Sequence, residues 1–123
     1  MPQKAIPDEL LRNAISEVET GWGRKLPFYE WGIKIDKILI STTLEILNEA
    51  PSKTLPQNSR NAVLERTPDG LDRRLKERLG NLRRGNIISD VLSKANIVEV
   101  FDCEKYLTQR LVKCTRLCKN WRW

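Results

Sequence analysis

Thr67–Phe101, TPDGLDRRLKERLGNLRRGNIISDVLSKANIVEVF, is the stretch whose reading decides the fold. Leu71, Leu75, Leu79 and Leu82 recur at helical spacing and fall on one narrow stripe. Thr67-Pro68-Asp69 is a start signal for that helix, with Thr67 as cap and proline in the first turn. Arg73, Arg74, Lys76, Arg78 and Arg83 cover most of the rest of its surface. Asp72 and Glu77 stand four residues from Lys76 and Arg73, close enough to pair with them. Arg83-Arg84-Gly85-Asn86 then interrupts the helix, and Asn86 suits the cap of a second one. Ile87, Ile88, Val91, Leu92 and Ala95 give that helix a buried face, and Asn96 suits a left-handed terminator. The run from Ile97 to Phe101 is β-branched and aromatic and predicts a strand.

Downstream, Asp102 is expected to cap a last helix, because Leu107, Leu111, Cys114 and Cys118 recur at i, i+4, i+7 and i+11. The chain closes on Lys119-Asn120-Trp121-Arg122-Trp123. Upstream, Pro7-Asp8-Glu9 opens a helix over roughly 7–20, with Leu11, Ala14, Ile15 and Val18 on its inner face. Residues 21–32, GWGRKLPFYEWG, read as a loop whose large rings fasten it to the core. Arg24 and Lys25 beside Trp22 also suit an aromatic contact surface. Ile33 and Ile35 alternate with charged residues as a short strand would. A central helix follows, capped by Asp36 and stopped by Pro51. Residues 51–58 read as a connection, and 59–66 as a short helix.

The fold expected from these pieces is a single domain over residues 1–123, mainly α with a minor β element. The order basic helix, turn, apolar helix, strand is compatible with a helix-turn-helix followed by one arm of a wing, a winged-helix-like arrangement.

Chemistry is constrained from the start. The chain has no histidine, which removes the commonest general base and every His-containing metal site. Glu99, Asp102, Glu104 and Lys105 form the nearest approach to a carboxylate nuclease cluster, but capping and surface charge explain them more cheaply. Three cysteines without a histidine fit zinc badly, so no cofactor or metal is expected. The odd cysteine count and a start without an apolar leader predict reduced thiols in a cytoplasmic protein. No apolar run is long enough to span a membrane.

The net charge is +6 and unevenly placed. Residues 66–84 hold seven basic against three acidic side chains, and 103–123 hold six against one. The function expected is therefore non-catalytic nucleic-acid binding, DNA above all, through a basic helical surface. Arg73, Arg74, Lys76, Arg78, Arg83, Arg84, Asn86, Arg116, Lys119 and Arg122 are the candidate contacts, and Trp22, Trp121 and Trp123 the candidate aromatic ones. The alternative is a protein-interaction or homo-oligomerisation module built on the leucine stripes.

Overall fold

A computed structural model describes residues 5–57, 69–80, 85–104 and 111–123. In these residues the protein is α+β, with four α-helices and two small antiparallel sheets. Helix α1 runs Asp8–Trp22 and ends on Gly23, whose φ of 62° is the left-handed conformation that glycine adopts without penalty. Strands β1 (Phe28–Glu30) and β2 (Ile33–Ile35) form a hairpin. Helix α2 (Lys37–Glu49) follows directly, with the Asp36 carboxylate accepting from the Leu39 amide at 2.9 Å.

Helix α2 is the centre of the core. Leu39, Ile40, Leu44, Ile46 and Leu47 are all buried, and they point to several sides of the helix. Such a helix must be wrapped by other elements, and α1, α3 and α4 all pack against it. Asn48 near its end is buried and holds the C-terminus. Its amide donates to the Trp123 carbonyl at 3.0 Å, and its carbonyl accepts from the Trp123 amide at 3.1 Å.

Beyond α2 the chain runs through β3 (Thr54–Pro56), α3 (Leu71–Leu79), α4 (Gly85–Lys94), β4 (Val98–Glu104) and β5 (Leu111–Leu117). The second sheet has the order β3-β5-β4, all antiparallel. Its inner face buries Leu55, Val98, Thr115 and Leu117. Its outer face carries Glu99, Phe101 and Arg116, with the Arg116 guanidinium over the Phe101 ring at 4.7 Å.

Several sequence expectations hold. The helices at α1, α2, α3 and α4 and the strands at β2 and β4 lie where periodicity puts them, and Asp36 caps α2 as expected. Asn96 is left-handed, with φ 61°. Four expectations are corrected. The last segment is not a helix: it completes β4 and adds β5, because Thr115 and Leu117 alternate inward at strand period. The i, i+3, i+7 recurrence of Leu111, Cys114 and Cys118 is coincidental with that alternation. Residues 51–58 are more than a connection, since β3 lies within them. Asn86 does not cap α4 but lies inside it, one residue after its first. Finally, Cys103 and Cys114 are not separate thiols. They face the same side of neighbouring strands, their Cα atoms are 6.1 Å apart, and they form a disulfide. Cys118 is free, and burial pushes its thiol pKa up. The helix expected at 59–66, the Thr67-Pro68 start, Leu82, Arg83, Arg84 and Leu107 lie outside the described residues.

Candidate functional site

The basic helix α3 is the first place to look. Leu71 and Leu75 bury its inner face as their spacing requires. Its cations, however, are matched by carboxylates. Arg73 pairs with Glu77 at 2.9 Å, Arg74 with Asp69 at 3.0 Å, and Arg78 reaches across to Glu45 of α2 at 3.0 Å. Arg74 holds Asp69 through two hydrogen bonds, and this lowers the Asp69 pKa below its ordinary value. Lys76 is buried against Asp72, with the ammonium 3.1 Å from a carboxylate that solvent does not reach. Four cations therefore face four anions on the described part of this helix.

Asp72 also anchors a polar cluster that ties α3, α4, β3 and β5 together. Its other oxygen accepts from the Gly85 amide at 3.2 Å. Its own amide donates to the Gln57 carbonyl at 3.1 Å. Gln57 donates to the Thr115 hydroxyl at 3.1 Å, and that hydroxyl lies 2.7 Å from the Ser89 hydroxyl. Ser89 completes the chain by bonding to the Gly85 carbonyl. A Cβ on Gly85 would stand 3.1 Å from the Asp72 nitrogen and 3.2 Å from the Gln57 oxygen, so glycine is needed for this approach. The cluster is buried and links four elements, which makes it a positioning device for α3 and α4.

Helix α4 turns Ile87, Ile88, Ser89, Val91 and Leu92 inward. Asn86, Asp90 and Lys94, at i, i+4 and i+8, lie on its other side. Partial burial raises the Asp90 pKa, and Lys113 of β5 opposes that shift from across the gap. Lys94 is not a bare cation. Its ammonium sits 4.1 Å over the Trp22 ring, whose indole nitrogen donates to the Val91 carbonyl at 3.0 Å.

The remaining sequence candidates fall at the sheet and its end. Arg116 pairs with Glu99, Arg122 donates to the Leu117 carbonyl at 2.9 Å, and Lys119 is exposed. Trp22, Trp121 and Trp123 are half-buried and packed on the core, so these rings serve the fold. The carboxylate cluster does not converge, because strand alternation sends Glu99 and Asp102 to opposite faces of β4. Among the described residues no three His, Cys, Asp or Glu side chains are placed to share a metal ion. No described helix is long and apolar enough to cross a membrane.

Residues 21–32, expected as a loop fastened to the core, instead hold strand β1 and the turn of a hairpin. At the β1–β2 hairpin, Phe28 and Ile35 face inward, while Tyr29 and its cross-strand partner Lys34 face solvent. Trp31 and Gly32 form the turn, and both have positive φ, 48° and 77°. That is the pattern of a type I′ hairpin turn, which ordinarily takes Asn-Gly. Trp31 is 84% exposed and Tyr29 63% exposed. The signal for this turn was present, since Trp31-Gly32 stands between two short apolar runs. It was masked by the density of aromatic residues, which more often marks a loop packed on the core.

No protein-family model matches this chain, and no curated protein or solved structure matches it.

Proposed function

We propose that this protein binds duplex DNA without catalysing a reaction on it, through a winged-helix-like unit made of α2 to β5. The observation that carries this reading is the order of those elements: helix, short strand, two helices, then two long strands, with β5 between β3 and β4. In such an arrangement α4 is the element offered to a groove, and β4 and β5 are the wing beside it. The buried Asp72 cluster supports the reading, because a recognition helix must be held rigidly against its neighbour.

One architecture serves many functions, so the charges on these elements bear on the choice. The segment joining β4 to β5, residues 105–110, includes Lys105 and Arg110, and Arg83 and Arg84 immediately precede α4. These four, with Lys113 and Lys119, would serve phosphates. The arginines of α3 are not assigned to phosphates in this reading, because carboxylates already pair with them. Asp90 opposes binding electrostatically. Nucleic acid is the partner in this reading.

Titration of a labelled duplex across a salt series tests it. Affinity is expected to fall steeply as salt rises, because phosphate contacts release counterions. Asp90→Asn is expected to tighten binding and Lys113→Glu to weaken it, with no change in fold. Unchanged affinity in both variants removes α4 and β5 from the interface. A second reading, a self-associating interaction module, is favoured by the neutralised face of α3. A stable dimer by light scattering that ignores DNA would select it.

A further inference from the structure

We propose that the β1–β2 hairpin is a second binding site, for single-stranded nucleic acid, in which Trp31 and Tyr29 stack on bases and Lys25, Lys34 and Lys37 hold the adjoining phosphates. None of these residues lies on α4, β4 or β5, so the site goes beyond the duplex reading and stands without it.

The first observation is the backbone at Trp31. A bulky side chain at positive φ is disfavoured by about 1–2 kcal/mol, because its Cβ crowds the following carbonyl. Such a residue persists where something other than local stability holds it in place. Burial is the usual compensation for a tryptophan, and here it is absent: Trp31 is 84% exposed. The other three tryptophans all pack against the core. One ring is thus held out at a hairpin tip on an unfavourable backbone, with Tyr29 exposed two residues away on the same hairpin.

The second observation is charge. Residues 23–38 contain four cations, Arg24, Lys25, Lys34 and Lys37, and two carboxylates, Glu30 and Asp36. Both carboxylates are occupied. Glu30 pairs with Arg24 at 2.9 Å, and Asp36 caps α2. Arg24 is further engaged by the Tyr29 carbonyl and the Phe28 ring. Lys25, Lys34 and Lys37 are exposed and make no ion pair among the described residues. This is the reverse of α3, where every described cation has an anionic partner.

Exposed rings next to uncompensated lysines fit a ligand that carries flat apolar faces on an anionic chain. Single-stranded nucleic acid has that chemistry, and base stacking on such rings tolerates any sequence. A duplex does not, because its base faces are already stacked on one another. An anionic membrane is the other surface that rings and lysines can meet. The hairpin suits it less well. Lys34 stands directly opposite Tyr29, so charge lies on the same face as the ring.

The test is fluorescence anisotropy with a labelled oligo-dT of about 15 nucleotides, within the span that one small module covers. A duplex of equal length and vesicles of phosphatidylserine and phosphatidylcholine are run beside it. Glycine accepts positive φ without strain, so Trp31→Gly keeps the fold, and a melting curve verifies this. Wild type is expected to bind oligo-dT with quenching of tryptophan emission. Trp31→Gly is expected to lose about five- to a hundred-fold in affinity and the quenching with it. Tyr29→Ser and Lys34→Glu should each weaken oligo-dT binding further, while duplex binding is unchanged in all three. The proposal is overturned if Trp31→Gly binds oligo-dT as the wild type does, if oligo-dT is not bound, or if the vesicles are bound in a Trp31-dependent way and oligo-dT is not. Equal loss of duplex and oligo-dT in Trp31→Gly overturns the strand preference. Duplex affinity that responds to Lys113→Glu and not to Trp31→Gly keeps the two sites separate whichever of them fails.

Discussion

Helix α3 and the β1–β2 hairpin carry similar numbers of cations, yet they present opposite faces to solvent. On α3, Arg73, Arg74, Lys76 and Arg78 each lie against a carboxylate, and one of these pairs is buried outright. On the hairpin and its flanks, both carboxylates are taken by other jobs and three lysines stay unpaired. A count of charges along the chain favours α3. The potential that an anion would meet favours the hairpin. Local charge density predicts an electrostatic surface only where the counter-charges are distant in space, and Glu45 reaches α3 from a helix about thirty residues earlier in the chain.

The contrast can be tested by changing stability in each region. The largest effect is expected at Asp72. Asp72→Ala leaves the Lys76 ammonium buried without its partner, and breaking a buried pair in this way costs about 3–5 kcal/mol. Chemical denaturation should show the midpoint fall accordingly. Replacing Asp72 and Lys76 together by leucine and methionine should cost less than Asp72→Ala alone. Additive losses would mean that the pair does not act as a unit.

Gly85→Ala comes next. The added Cβ meets backbone atoms at 3.1 and 3.2 Å, which cannot rotate away. A loss of about 1–3 kcal/mol is expected, as for overpacking elsewhere. A melting temperature equal to that of the wild type would show that α3 and α4 can shift apart freely.

At the hairpin the sign reverses. Trp31→Gly removes about 1–2 kcal/mol of backbone strain. The greater freedom of glycine in the unfolded chain returns about 0.5–1 kcal/mol. A net gain of roughly 0.5 kcal/mol in urea denaturation is expected. A clear loss would mean that the Trp31 ring contributes to the fold, and the contrast with α3 would fail.

The smallest effect belongs to an exposed pair. The folded-state pKa of Asp69 is lowered, chiefly by hydrogen bonding to Arg74. The stability it adds is present above the ordinary value of 3.8 and is lost as pH falls through the lower folded value. Arg74→Gln should flatten that part of the acid-stability curve and leave neutral pH almost unchanged, since exposed pairs contribute little.

Much of the fold was legible. Apolar residues at helical spacing marked α1 to α4, Asp36 and Pro51 bounded α2, and Asn96 is left-handed where such a residue was expected. These signals are local, so they survive without tertiary information. Strand β5 was misread because LVKCTRL satisfies both periods, and only pairing with β3 and β4 chooses between them. Reduced thiols were expected from the odd cysteine count, but only the β4–β5 register brings Cys103 and Cys114 together as a disulfide. In the candidate sites, the spacing of Asp72 and Lys76 showed a pair but not that it is buried. The seating of Trp123 depends on Asn48, 75 residues earlier in the chain.

By itself the amino-acid order determined where the backbone would coil, which residues would form the core, and that histidine-based chemistry is absent, because each of these depends on a residue and its near neighbours. The tertiary structure decided which cations are neutralised, which rings are buried and which strands pair. Those outcomes depend on atoms brought together from distant parts of the chain, and no spacing along it records them.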